Sequence, residues 1–245
     1  MFRIPRQIEA EWLDELPADD PRALRSRRDL RRINALMTNA GIVGRELMRN
    51  FRDEAPRVIA EIGAGDGAFM LRLAARVAAR WKNVRVVLLD RQDVVGRDAR
   101  GRFAALGWEA DSATADVFEW LGRPAGPVFD VMIANLFLHH FEDARLAALL
   151  SLAAGRTRMF VACEPRRSGF ALAGSRLLGL AGCNDVSRHD AVVSVRAGFN
   201  GAELSALWPA NHGWTLQERA SGLFSHSFVA CRVDAGRSTG RHAGK

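Results

Sequence analysis

The chain reads as one α/β domain built on an open, mostly parallel sheet. Three observations carry this expectation. Short, largely apolar runs at residues 58–62, 84–89, 108–114, 128–134 and 158–163 alternate with helix-forming stretches. A glycine-rich turn, Gly63-Ala64-Gly65-Asp66-Gly67, follows the first run. Two further runs, 214–219 and 224–233, stand so close around Ala220-Ser221-Gly222 that they must pair as a hairpin.

Taken in order, residues 1–54 read as a helical cap. Pro21 can open a helix at Asp19-Asp20, with Leu24, Leu30, Ile33, Leu36 and Met37 as its apolar stripe. Residues 55–233 form the main domain. Its strands are separated by helices over 68–79, 93–106 and 143–154, the spacing of right-handed crossovers between parallel strands. After the fifth strand the rhythm breaks. Residues 168–181 and 201–208 read as helices within an insertion over 165–210, and 187–196 reads as a polar turn leading into a core segment. The hairpin closes the domain. Residues 234–245, rich in Gly, Ser and Arg, read as a disordered tail.

The 245 residues are 48% hydrophobic, enough for one sizeable core. The net charge of +7 raises nucleic acid or an anionic surface as partners. The arginines sit beside acids in helical stretches, however, including the block between Arg25 and Arg32, so nucleic acid is not the expected partner. Cys163, Cys183 and Cys231 are scattered and show no ligand spacing, so neither a disulfide framework nor a metal site is expected. No signal-peptide run or membrane-length apolar stretch occurs, which points to the cytoplasm. A homodimer is left open.

Gly63, Gly65 and Gly67 lie between a strand and a helix, where glycine permits a tight turn and close approach of a ligand to the backbone. Gly63-x-Gly65-x-x-Ala68 satisfies a dinucleotide-binding fingerprint, and Asp90 stands where that fingerprint wants an acid for a ribose. Charge separates the candidate cofactors. A dinucleotide lays its pyrophosphate at the helix N-terminus. Here Glu61 and Asp66 flank the loop and Asp116 follows the third strand, so a pyrophosphate would face carboxylates in a low-dielectric cleft. S-adenosylmethionine has no phosphate. Its ammonium and sulfonium suit acids, and its ribose diol suits the two oxygens of Asp90.

Glu61-x-Gly63-x-Gly65-x-Gly67, Asp90 ending the second strand, Ala115-Asp116-Val117 after the third, and Phe129-Asp130-Val131-Met132-Ile133-Ala134-Asn135 in the fourth resemble class I S-adenosylmethionine-dependent methyltransferases. The resemblance covers residues 57–165. It implies a Rossmann-like seven-stranded sheet, mostly parallel with a C-terminal antiparallel hairpin, helices on both faces and the N-terminal helical cap. It implies that Glu61, Gly63, Ala64, Gly65 and Gly67 hold the methionine part of the donor and Asp90 and Arg91 the ribose. Asp116 and Val117 would hold the adenine, and Asn135 and Leu136 would complete the site. S-adenosyl-L-homocysteine would be the product.

Methyl transfer from a sulfonium needs alignment and, for a hydroxyl or acidic C–H acceptor, removal of a proton. Leu138-His139-His140 follows the fourth strand, at the carboxyl edge where such sheets bind ligands. It resembles the Leu-His-His stretch of quinone-biosynthetic methyltransferases, and His139 falls where small-molecule O-methyltransferases carry a general-base histidine. His139 and His140 are therefore candidate catalytic residues, the alternative being that they shape the loop. His189, beside Asp190, is a third candidate, its alternative being the polar turn. Glu164 can cap or line the pocket.

The runs Cys163-Glu164-Pro165-Arg166-Arg167-Ser168 and Ser187-Arg188-His189-Asp190-Ala191-Val192-Val193-Ser194 are similar to bacterial methyltransferases associated with type III polyketide synthases. That similarity implies a phenolic or quinone-like polyketide acceptor. The apolar helices flanking the domain also favour an aromatic or apolar small molecule. Three other readings stand beside this one. A nucleic-acid or protein methyltransferase rests on the basic charge, and an NAD(P)-dependent oxidoreductase is opposed by the acidic loop. The last is a binding module that kept the fold.

Overall fold

The computed structural model describes residues 4–17, 19–210 and 213–233, so the tail over 234–245 lies outside the described residues. Three helices, α1 (Trp12–Glu15), α2 (Pro21–Leu36) and α3 (Asn39–Asn50), precede the first strand. The alternating part runs β1 (Val58–Ile62), α4 (Ala68–Val77), β2 (Val84–Asp90), α5 (Arg97–Ala105), β3 (Trp108–Thr114), α6 (Val117–Gly122), β4 (Phe129–Asn135), α7 (Asp143–Ala154) and β5 (Thr157–Pro165). Then come α8 (Gly169–Arg176), α9 (Asp185–Ala197), α10 (Glu203–Leu207), β6 (Trp214–Ser221) and β7 (Ser225–Arg232).

The sheet has seven strands in the order β3-β2-β1-β4-β5-β7-β6. β1 to β5 pair in parallel. β7 is antiparallel to both β5 and β6. The short connection at Gly222, φ +68, reverses the chain, so β7 adds beside β5 and leaves β6 at the edge. This is the Rossmann-like architecture expected of the sequence.

Helices cover both faces. On one, α3, α4 and α5 bring Leu47, Leu73, Val77 and Phe103 against Val86, Ile133 and Val161. On the other, α6, α7 and α10 bring Leu121, Leu146 and Leu204 against Met132, Phe160 and Phe228. Each such side chain contributes about 1.5–3 kcal/mol through removal from water. The order reverses between β1 and β4, and the crevice at that switch point opens at the carboxyl ends of the strands.

Three elements differ from expectation. The cap expected over 1–54 divides: α1 and α2 pack with α9 over the crevice, whereas α3 belongs to a helical layer of the sheet. Residues 187–196 are part of the helix α9, not a turn. Asn184 caps it by accepting from the Ser187 N–H at 2.9 Å. Val186, Asp190, Val193 and Ala197 make its buried stripe. A short helix, α6, follows β3, capped by Asp116 accepting from the Phe118 N–H at 2.8 Å. No helix among the described residues is long and apolar enough to cross a membrane.

Candidate active site

A cavity of about 1150 Å³ opens over the carboxyl ends of β1, β2 and β4 and beneath α1, α2, α8 and α9. This exceeds the ~300–1,000 Å³ of an ordinary single-ligand site, which leaves room for a donor and an acceptor together.

The glycine loop forms its floor. Gly63, Gly65 and Gly67 all have positive φ, +70, +53 and +74. Gly65 faces open space: a β-carbon there would have no atom within 4 Å. Its N–H donates to Asp90 Oδ2 at 2.8 Å, while the Gln92 N–H donates to Oδ1 at 3.0 Å. Asp90 therefore braces the loop and still presents lone pairs to the cavity. Gly67 does not line the cavity. It makes the turn into α4, where a β-carbon would press on Leu88 at 3.0 Å.

Glu61 ends its strand just below this loop. It is 1% exposed, and its Oε2 has no hydrogen-bond partner. Burial, then the charges of Asp66 and Asp90, push its carboxyl well above the usual carboxylate range. Arg31 of α2 pairs with Asp66 at 2.9 Å, joining the cap to the loop. Ala64, Arg91, Asp116, Val117, Asn135 and Leu136 also line the cavity. Leu136 sits at φ +53, at the end of β4. Asn135 accepts from Asn39 Nδ2 at 2.9 Å, and Asn39 in turn accepts from Ser225, so α3 and β7 fix the end of β4.

Opposite the loop, His139 and His140 form a short 3₁₀ turn. His139 is 3% exposed. Its Nδ1 donates to Oε2 of Glu164 at 2.8 Å, and its Nε2 lies 3.4 Å from Oε1 of Glu11. Glu164 is fully buried, and its Oε1 accepts the N–H groups of Phe137 and Leu138, each at 3.0 Å. Burial opposes the imidazolium, but the hydrogen bonds and charges of Glu11 and Glu164 outweigh it and carry the His139 pKa up to about 9. A ring held protonated has no lone pair to take a proton at neutral pH, so His139 is not a free general base in this arrangement.

Burial alone would raise the Glu11 carboxyl, yet His139 and His140 hold it well below the usual range. His140 turns its Nδ1 to the carbonyl of Phe137 at 3.0 Å and its Nε2 to Oε2 of Glu11 at 3.5 Å. Sequence reasoning missed Glu11 because it lies 128 residues before His139, in a segment without periodicity.

His189 does not reach the cavity. α9 turns Ala191, Ser194 and Val195 inward, while His189 stacks on Trp12 with ring centres 3.9 Å apart and its Nδ1 donates to Asp190 Oδ1 at 3.0 Å. The helical geometry, absent from the expected turn, sends it outward. The remaining wall includes the apolar Leu13, Met37, Phe137, Ala171, Leu178 and Phe224 beside the charged Arg27, Arg72 and Arg145.

Residues 59–158 match the profile of a family described as a methyltransferase domain. No curated protein matches the sequence. Among solved structures, the chain is similar to the plantazolicin methyltransferase BpumL in complex with SAH, at TM-score 0.61 and 13% identity over 87% of this chain and 91% of that one. It is also similar to an O-methyltransferase family protein from Burkholderia thailandensis, at TM-score 0.58 and 18% identity over 89% of this chain, which spans only 62% of that one. A third is magnesium protoporphyrin IX methyltransferase from Synechocystis with bound SAH, at TM-score 0.52 and 15% identity over 90% and 91% of the two chains. Residues 59–158 thus match a methyltransferase domain, and the chain shares its fold with solved methyltransferases that bind S-adenosylhomocysteine.

Proposed function

We propose that the protein transfers a methyl group from S-adenosylmethionine to oxygen or carbon of a small aromatic or apolar acceptor, with phenolic or quinone-like polyketides as the fitting class. The observation that carries this reading is Glu61. A buried carboxyl with an unpartnered oxygen, below a glycine loop open to the cavity, suits a cationic group. The donor's ammonium supplies one, whereas a pyrophosphate there would meet Glu61, Asp66 and Asp90.

Glu61 with the backbone of Gly63, Ala64 and Gly65 would hold the methionine part. Asp90 and Arg91 would hold the ribose, and Asp116 and Val117 the adenine. Asn135 and Leu136 would close the site along the end of β4. When bound, S-adenosylmethionine supplies a methyl on a positively charged sulfur that leaves unaided as a neutral sulfide. The chain's own work is alignment and proton removal. The aromatic and aliphatic wall packs a flat acceptor and excludes water. The acceptor's proton leaves on the side of the cavity lined by Glu11, His139 and His140.

Titration calorimetry with S-adenosylhomocysteine, S-adenosylmethionine and NADH tests the donor. One equivalent of each adenosyl compound should bind, and NADH should not. Binding of NADH alone would overturn the reading. A panel of phenols and quinones with labelled donor then identifies the acceptor.

A further inference from the structure

We propose that Glu11, His139 and His140 form a binding site for one divalent transition-metal ion of the zinc type, placed to grip the acceptor's oxygen. The inference rests on the methyltransferase reading above for its role, but the site itself stands on geometry alone.

One ligand atom from each of the three residues lies within 4.8 Å of the others. Both histidines have the outward nitrogen fixed by an acceptor behind it. Nδ1 of His139 faces the Glu164 carboxylate at 2.8 Å, and Nδ1 of His140 faces the Phe137 carbonyl at 3.0 Å. Those partners place a hydrogen on Nδ1 and turn both Nε2 atoms toward the same carboxylate. Metal-bound histidines are oriented in the same way, by a carboxylate or carbonyl on the other nitrogen.

The spacing agrees. Glu11 oxygens stand 3.4 and 3.5 Å from the two Nε2 atoms. Two ligands bonded at about 2.1 Å to a tetrahedral ion are themselves about 3.4 Å apart. Ser194 hydrogen-bonds Oε1 of Glu11 and holds the carboxylate in place. Without an ion a proton on His139 Nε2 answers Glu11, and an ion entering between them would displace that proton. Two imidazoles and one carboxylate suit zinc, cobalt or iron(II) rather than magnesium or calcium, which prefer all-oxygen shells.

All three residues line the cavity that holds the glycine loop, so a fourth coordination position faces the acceptor space. A hydroxyl bound there loses its proton more readily, as metal-bound water does. The O–H bond breaks and its proton passes to solvent. The oxygen then forms the new bond to the methyl carbon as the carbon–sulfur bond breaks, leaving the neutral thioether. His139 and His140 thus act as ligands to the ion rather than as bases.

The test uses the full chain freed of metal by chelation and titrated with Co²⁺ and with Zn²⁺. The expected result is one equivalent bound, with the visible absorption of a low-coordinate Co²⁺ site. Affinity should fall at least about 10-fold in Glu11→Gln and in His140→Ala, with Mg²⁺ unable to compete. His139 is buried, so its variant is not relied upon. Absence of binding overturns the site, as does binding that both variants leave unchanged. Calorimetry with S-adenosylhomocysteine on the same samples separates the two claims. Donor binding without metal removes the ion and keeps the methyltransferase reading, and metal binding without donor does the reverse.

Discussion

The ring of Phe137 lies across Gly63 so closely that a β-carbon on Gly63 would stand 2.2 Å from Phe137 Cδ2. Gly63 also holds φ +70, a left-handed conformation that costs a side chain about 1–2 kcal/mol. Gly63→Ala therefore combines strain with overpacking, which adds about 1–3 kcal/mol. In a chain of this size the melting temperature should fall by roughly 5–15 °C. Phe137→Ala in the same chain should recover part of the loss. Gly65→Ala is the contrasting case, since a β-carbon there meets nothing within 4 Å. At φ +53 it carries the same left-handed strain without the clash, so it should lower melting less than Gly63→Ala yet weaken S-adenosylhomocysteine binding, because the added methyl enters the donor's space. Equal melting losses for the two variants would contradict this division of labour.

Glu61 links the site to pH. Burial and the neighbouring Asp66 and Asp90 raise its pKa in the fold, so the folded state keeps a proton that the unfolded chain gives up. Stability of the free enzyme must therefore decline as pH rises from the ordinary carboxylate range through the raised value. Glu61→Gln has no such proton, so its melting temperature should vary less over that window and exceed that of the parent at the upper end. Donor binding should run the other way. The ammonium draws Glu61 to its charged form, so binding should release protons and tighten with rising pH. Glu61→Gln should bind roughly 10–100-fold more weakly, the worth of a charge-assisted hydrogen bond of about 1.5–3 kcal/mol. Calorimetry in buffers of different ionisation enthalpy reads the proton count, and an equal count in both proteins would sink this account.

The sheet was legible because its signals are local. β1, β2, β4 and β5 are short apolar runs, and the Ala220-Ser221-Gly222 turn leaves no room for anything but a hairpin. α9 was hidden by its composition. Val186, Val192, Val193 and Val195 are β-branched and imitate a strand, while the helix is declared by its Asn184 cap and its tertiary stripe. The three loop glycines look alike in sequence, yet Gly63 yields to a ring, Gly65 to open space and Gly67 to Leu88. Least legible was the Glu11–His139–Glu164 chain, whose members come together only after β4, β5 and the cap have assembled.

Asp90 has two tasks that can be separated. Its oxygens accept the Gly65 and Gln92 N–H groups and also face the cavity expected to hold the ribose. Asp90→Ala removes both functions and should abolish measurable donor binding. Asp90→Asn keeps one accepting oxygen and replaces the other with a donor. It should retain the fold, lower affinity by roughly 10–100-fold through the lost charge-assisted bonds, and leave acceptor KM unchanged at saturating donor. If the Asn variant binds as tightly as the parent, the ribose is held elsewhere.

His189 is the position at which sequence and structure divide most sharply. As a base it would have to face the acceptor, but its ring lies flat on Trp12 at an interplanar angle of 8°. Next to it, Asp190 accepts the N–H groups of Trp12 and Leu13 at 2.9 and 3.1 Å. These contacts fasten α1 to α9, and through α1 they place Glu11, the residue before Trp12. His189→Ala should lose the stacking, worth about 0.5–1.5 kcal/mol, and the hydrogen bond to Asp190. The expected kinetic result is a modest rise in acceptor KM, with kcat within a few-fold and the pH–rate profile unmoved. Asp190→Ala strips two N–H groups of their buried acceptor, at about 1–3 kcal/mol each, and should loosen the segment far more. A collapse of kcat in His189→Ala together with a displaced pH profile would restore His189 as the base and refute its part as a fastening.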